Sequence, residues 1–135
     1  MKTIFVDTSA WVAYFDEDES RHDEAVQCLE TVRTQKYGMV ISDFIFDEVV
    51  TTVLGRAGHH MAVSAGMFLI GSAAVDLVWL DTDSKLKAWE YFGRHDDKGY
   101  SFTDCTSFVL MKKLKLTRYL GFDKHFKQAG FRFFS

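Results

Sequence analysis

Four carboxylates stand where chemistry could be done: Asp7, Glu48, Asp104 and Asp123. Asp7 directly follows the β-prone run Ile4-Phe5-Val6, and Asp123 follows a later one, Arg118 to Phe122. Asp104 begins the helix that leads into that later strand, while Glu48 lies one to two turns into the helix after a strand at Gly38 to Ile41. Ligands of open parallel sheets bind beyond the carboxyl ends of the strands, so acids placed there can converge. Singly, each has a structural reading. Asp7 and Asp123 can be helix N-caps, Asp104 can complete the capping box Ser101-x-x-Asp104, and Glu48 can face solvent. Jointly they form a like-charge cluster that cannot stay fully ionised unless a proton or a cation intervenes. An all-oxygen donor set with no obligatory His or Cys suits Mg2+ or Mn2+ rather than zinc. Such an ion activates water, orients a phosphodiester and stabilises the leaving oxygen, so the chemistry indicated is phosphodiester hydrolysis.

The elements that must position these acids follow from periodicity. Lys2 to Val6 reads as a buried strand that closes at Asp7-Thr8-Ser9. A helix then runs from Thr8 to Phe15, and a second from Ser20 to Thr34, with Ala25, Val26, Leu29 and Val32 at intervals of three and four. After the strand Gly38 to Ile41, Ser42 or Asp43 caps a helix through Leu54, which Gly55 and Gly58 break. A helix dense in small residues lies within Ala57 to Val75. A third strand, Val75 to Leu80, precedes a helix from Asp83 to about Arg94, and His95 to Gly99 is a loop. Ser101 opens the helix carrying Cys105, Phe108, Val109 and Met111. The strand Arg118 to Phe122, a short helix ending at Gly130 and a last strand, Phe131 to Phe134, complete the chain. Strands alternating with helices, without hairpin turns, predict a mostly parallel sheet in a three-layer α/β/α sandwich, and residues 1–135 read as a single domain.

Composition narrows the function classes. With 47% hydrophobic and 26% charged residues among 135, the chain is an ordinary globular one, not a disordered or collagenous one. Cys28 and Cys105 stand apart without a Cys-x-x-Cys motif, which indicates reduced thiols and a cytoplasmic protein. A net charge of −3 excludes coating of duplex nucleic acid by bulk electrostatics but permits a local patch. The N-terminus lacks an apolar run long enough for a signal peptide. Ala57 to Val75 has no Lys, Arg, Asp or Glu, yet its histidines, glycines and serines make it a buried helix rather than a membrane span.

Four segments carry a family resemblance: Val6-Asp7-Thr8-Ser9-Ala10-Trp11, Asp47-Glu48-Val49-Val50-Thr51, Ser101-Phe102-Thr103-Asp104-Cys105 and Gly121-Phe122-Asp123-Lys124-His125-Phe126. In order and spacing they resemble the four acidic motifs of the PIN domain, and more narrowly those of the small PIN ribonucleases that include the VapC toxins of toxin–antitoxin pairs. The resemblance implies a Mg2+- or Mn2+-dependent endoribonuclease that hydrolyses RNA with metal-activated water. It also implies an antitoxin protein as partner and a homodimer. Asp7 and Asp104 match the family's most characteristic metal-site acids, and Glu48 and Asp123 match the other two positions. Ser9 matches the small polar residue supporting the first Asp, and Thr103 the hydroxyl residue before the third acid. Two features depart from the pattern. Many relatives carry Thr or Ser two positions before the fourth acid, where this chain has Gly121. The chain also lacks the proline common near the second motif.

Other signals compete. Asp16, Asp18 and Ser20 open like an EF-hand loop, but Arg21 and Gln27 stand where Gly and Glu are needed, so calcium is rejected and the acidic run reads as a solvated loop. His59 and His60 are adjacent and point apart on a helix. Basic residues crowd the C-terminal part of the chain, and Lys112 and Lys124 are candidates for phosphate contact, with His125 a candidate substrate contact. Trp11, Phe44, Phe46 and Phe102 can stack an unpaired base but read first as core. Three alternatives to a toxin remain: an RNA-processing PIN nuclease without an antitoxin, a haloacid-dehalogenase-type phosphohydrolase and a receiver-like binding module. Ser9 replaces the second Asp that the phosphohydrolase needs, and the presence of all four acids argues against the module. The uncharged segment Ala57 to Val75 is expected to contribute to the homodimer, because its Gly, Ala and Ser residues permit close approach.

Overall fold

The computed structural model describes residues 2–135 and contains one five-stranded sheet. Its strands are β1 (Thr3–Val6), β2 (Gly38–Ser42), β3 (Val75–Val78), β4 (Arg118–Leu120) and β5 (Arg132–Phe133). They lie in the order β3-β2-β1-β4-β5, and each neighbouring pair is parallel. The helices are α1 (Thr8–Phe15), α2 (His22–Thr34), α3 (Asp43–Ala57), α4 (His59–Gly71), α5 (Thr82–Arg94), α6 (Phe102–Lys113) and α7 (His125–Gln128). Right-handed crossovers carry α1 to α4 over one face on the way from β1 out to β3. The return through β4 to β5 puts α5 to α7 over the other face. The expected three layers are observed, and in them β1 is the buried axis, with Ile4, Phe5 and Val6 fully enclosed.

This topology creates the site. From β1 the chain moves out towards β2, and from β4 it moves the opposite way towards β5, so β1 and β4 flank the switch point where a crevice opens beyond the strand ends. The pairing continues one step past the strands, because the Asp7 N–H donates to the Leu120 carbonyl at 2.8 Å. Asp7 is thereby fixed against Gly121.

Several boundaries differ from the sequence expectation, each for a local reason. Helix α3 continues through Gly55 to Ala57 and ends only at Gly58, whose φ of 92° no other residue type adopts cheaply. Helix α2 starts at His22 rather than Ser20, because residues 16 to 21 form turns closed by Glu19 N–H to Asp16 O and His22 N–H to Glu19 O. Strand β3 stops at Val78, since Leu80 N–H bonds the Asp43 carboxylate at 3.0 Å instead of a neighbouring strand. The small-residue helix is α4, which ends at Gly71. Its Ala62, Ala65, Gly66 and Leu69 pack inward. A Cβ on Gly66 would meet Val50 at 3.4 Å and the Phe46 ring at 3.6 Å, so the small residues bring α4 close to α3 within the same chain. The outer face of α4 instead presents Val63, Met67 and Ile70. Trp11 is core, while Phe44, Phe46 and Phe102 are half-buried against it. Cys28 and Cys105 are free thiols. No helix among the described residues is long and apolar enough to cross a membrane.

Candidate active site

Beyond the carboxyl ends of β1 and β4 lies a pocket of ≈ 390 Å³, and Asp7, Glu48, Asp104 and Asp123 all line it. Asp7 has the extended backbone of an N-cap for α1, yet its side chain makes no capping bond and is turned to the pocket. Ser9 holds it: the Ser9 hydroxyl donates to Asp7 Oδ2 at 3.1 Å and accepts from the Phe122 N–H at 2.9 Å, tying α1 to the β4 exit. Gly121 fits the same junction. A Cβ there would lie 2.9 Å from Asp7 Cβ and 3.4 Å from Ser9 Oγ, so this departure from the family pattern belongs to a contact that admits no side chain unless the junction shifts.

Asp104 combines two roles. Its Oδ2 accepts the Ser101 N–H at 3.0 Å, and the Ser101 hydroxyl accepts the Asp104 N–H at 3.0 Å, completing the anticipated capping box of α6. The same Oδ2 lies 2.9 Å from His125 Nδ1, and Asp123 Oδ1 lies 3.1 Å from it. Because both neighbours of Nδ1 are carboxylates, that nitrogen carries the proton and spans them, leaving Nε2 towards Gly99. Asp123 also accepts the His125 backbone N–H at 2.7 Å. Glu48, on α3, accepts the Thr8 hydroxyl at 2.5 Å. Asp104, Asp123 and His125 each offer a ligand atom within 4.8 Å of one another, whereas Asp7 and Glu48 complete the pocket walls.

The electrostatics are those of crowded acids. Burial, followed by the Asp104 charge, pushes the Asp7 carboxyl up to about 7, against the opposing hydrogen bonds of Thr8 and Ser9. Burial likewise raises Asp104, and Asp123 adds to the shift while Ser101 and His125 oppose it. Among the described residues no Lys or Arg pairs with any of the four acids. Carboxylate oxygens at this density with no cationic side chain between them fit Mg2+ or Mn2+.

The other sequence candidates fall elsewhere. Thr103 points no side chain into the pocket; its carbonyl accepts the Thr106 and Ser107 hydroxyls at 2.6 and 3.1 Å. Lys112 is two turns beyond Asp104 and stands 5.4 Å over the Tyr91 ring, in a separate groove between α5 and α6. Lys124 is an exposed residue at the start of α7 and does not line the pocket. The basic side chains that do are Arg21 and Arg56, which sequence reasoning missed. Their only signal was the acidic run. It is not wholly solvated: Asp16 is buried, Asp16 Oδ1 accepts the Asp18 N–H at 3.1 Å, and Arg56 Nη1 approaches Glu19 at 2.8 Å and Asp16 at 3.9 Å. His59 and His60 are exposed on α4.

Comparison with known proteins agrees with this architecture. A PIN domain profile matches residues 4–132. The 23S rRNA-specific endonuclease VapC20 of Mycobacterium tuberculosis is 36% identical over 129 residues, covering 95% of each chain. A VapC ribonuclease of Archaeoglobus fulgidus is 26% identical over 126 residues, 90% of this chain and 77% of the relative. The crystal structure of M. tuberculosis VapC20, described as a Sarcin-Ricin loop cleaving toxin, matches with a TM-score of 0.85 at 34% identity, covering 95% of both chains. VapBC2 from Rickettsia felis, bound to a promoter DNA fragment, shares the fold with a TM-score of 0.68 at 14% identity over 93% of this chain and 92% of that one. With its four acids gathered at the β1/β4 crevice and the profile spanning nearly every residue, the chain belongs to the PIN domain family and is similar within it to the VapC ribonucleases.

Proposed function

We propose that this single-domain chain is a divalent-metal-dependent endoribonuclease of the VapC toxin kind, using Mg2+ with Mn2+ as a substitute. The observation that carries the reading is the pocket itself, where Asp7, Glu48, Asp104 and Asp123 meet and, among the described residues, no Lys or Arg pairs with any of them. Asp7, Asp104 and Asp123, with Glu48 at the wall, would hold the ion. Bound there, it would supply an activated water and charge stabilisation for phosphodiester hydrolysis. The protein's own groups set the geometry. Ser9 orients Asp7, Thr8 orients Glu48, and the His125 Nδ1–H draws the Asp104 and Asp123 carboxylates together while shielding part of their repulsion. Structured ribosomal RNA is the substrate class we assign, on the similarity to the 23S rRNA-specific endonuclease.

The partners follow the same reading: an antitoxin in the cytoplasm, and a second copy of the chain. An apolar groove of ≈ 510 Å³ between α1, α2 and the end of α4 suits an antitoxin segment, since Tyr14, Val26, Leu29 and Phe68 line it, and the buried Trp11 Nε1–H beneath has no acceptor among the described residues. For the homodimer, the outer face of α4 with Val63, Met67 and Ile70 is the available apolar surface, the small-residue face being occupied by α3. The test is cleavage of ribosomal RNA across pH at several metal concentrations. Mg2+ and Mn2+ should support turnover, Ca2+ should bind with little turnover, and acid should inhibit in a way that extra metal partly reverses. Full activity in excess EDTA would refute the metal site. Rescue by zinc alone would make His125 a ligand instead of a spacer. Sedimentation as a monomer at high micromolar concentration would remove the homodimer.

A further inference from the structure

Two guanidinium groups stand on the pocket wall, and the acidic constellation gives no reason for either. Arg21 is the N-cap residue of α2 and Arg56 lies in the last turn of α3, so the two arrive from separate parts of the fold. Both are held in place. The Arg21 guanidinium carbon lies 5.0 Å from the centre of the Phe122 ring, directly beside Asp123, and its Nε is 3.9 Å from Glu24. Arg56 Nη1 meets Glu19 at 2.8 Å. The turn that carries Glu19 and Arg21 is itself anchored, because His22 Nδ1 bonds the Ala13 carbonyl at 2.8 Å.

A guanidinium has five N–H donors in a rigid fork suited to phosphate oxygens, and only one Arg56 donor is committed to Glu19 at hydrogen-bond distance. The pocket therefore has two unlike walls. The acids repel a phosphate and draw a cation, while the arginines attract a phosphate and anchor the strand that carries it.

We propose that Arg21 and Arg56 form the phosphate seat for the RNA strand, with the Glu19 carboxylate occupying Arg56 until a backbone phosphate displaces it. This rests on the ribonuclease reading and adds to it the residues that grip the substrate. Arg21 binds from over the Phe122 face, where it lines the pocket, and Arg56 exchanges one anionic partner for another.

The experiment measures cleavage kinetics and their salt dependence with ribosomal RNA for the wild type, Arg21→Ala, Arg56→Ala and Glu19→Gln, each shown to be folded by its melting curve. Each arginine variant should raise KM about tenfold with kcat within about twofold. The slope of log(kcat/KM) against log[salt] should shrink by about 0.7 per arginine removed. Glu19→Gln should act in the opposite direction and lower KM, because it frees Arg56 and removes a repelling charge. Arg56→Lys should recover part of the affinity. Unchanged KM and salt slope in both alanine variants would overturn the seat. A Glu19→Gln variant as impaired as Arg56→Ala would show that the ion pair only latches the turn, and would overturn the exchange. Should the wild type cleave no RNA, the ribonuclease reading fails by itself; fluorescence anisotropy of labelled RNA in EDTA, with the same variants, then decides the seat separately.

Discussion

Asp7 and Asp81 hold the same backbone position and have opposite fates. Each is the N-cap residue between a parallel strand and the next helix, with φ and ψ of −79° and 160° for Asp7 and −77° and 167° for Asp81. Asp81 uses its carboxylate locally, accepting the Ser84 N–H at 2.8 Å and the Lys113 ammonium at 2.7 Å, which holds it well below the usual carboxylate range. Asp7 makes no capping bond and is pushed up to about 7. The difference lies in the neighbours. The exit of the edge strand β3 meets a lysine from α6, whereas the exit of β1 at the sheet's switch point meets two further aspartates. A cap residue whose side chain does not cap is free for a ligand, and the buried charge it carries weighs against stability.

The largest expected contrast comes from neutralising each in turn. Asp7→Asn should cut RNA cleavage by roughly 10²–10³-fold, since one charged member of the pocket is lost with little change in volume. In EDTA at pH 8 the same variant should be more stable than wild type. The shift from 3.8 to about 7 corresponds to on the order of 4 kcal/mol of removed ionisation cost. Asp81→Ala should do the reverse, lowering the melting temperature and leaving cleavage intact. Equal destabilisation by both substitutions would erase the distinction.

A pH series sharpens the same point. Asp7 has a folded pKa above its unfolded one, so its contribution is complete below about 3.8 and is lost as pH rises through about 7. Asp81 has a lowered folded pKa, so its contribution is present above about 3.8 and disappears only in stronger acid. Metal-free protein should therefore gain stability from Asp7 on going from pH 8 to pH 5.5, and Asp7→Asn should flatten that gain. Urea midpoints in EDTA measure it, and an equal gain in the variant would assign it elsewhere.

A smaller effect is expected one residue past β4. Gly121→Ala places a methyl 2.9 Å from Asp7 Cβ, and neither partner can swing aside because both belong to backbone exits pinned by the Asp7 N–H to Leu120 bond. The cost should be about 1–3 kcal/mol of stability, with cleavage lowered beyond what the lost stability explains. Unchanged kcat would mean that the Asp7 carboxylate tolerates displacement.

The sequence made one half of this molecule readable and concealed the other. Asp7, Glu48, Asp104 and Asp123 are legible because each is tied to an element end, and the order of strands and helices then dictates where those ends meet. The three layers follow from the same alternation. Arg21 and Arg56 were not legible, since they depend on how a turn after α1 and the last turn of α3 fold back over the pocket, and the spacer position of His125 depends on how α7 packs on α6. Thr8 stands beside Asp7 in the chain, yet only the packing of α3 on α1 reveals that it holds Glu48. Boundaries failed where a side chain outbid the backbone pattern, as at Leu80 with Asp43, or where glycine kept ordinary helical geometry, as at Gly55.

The least effect is expected at Lys112, where charge composition suggested a substrate contact and the structure places the side chain in a groove apart from the acidic pocket. Eight residues separate it from Asp104 along α6, about 12 Å of helix rise. Its ammonium lies 5.4 Å over the Tyr91 ring, among Asp83, Lys87 and Glu90 rather than among the pocket residues. A solvent-accessible cation over this half-buried ring contributes about 1 kcal/mol, so Lys112→Ala should cost no more than that in stability. Its KM for ribosomal RNA should stay within about twofold of wild type, because only long-range attraction is lost and salt screens it over about 10 Å. A tenfold rise in KM would show that the RNA leaves the pocket along α6, and would move the substrate path from the Arg21 and Arg56 wall to the opposite face of the sheet.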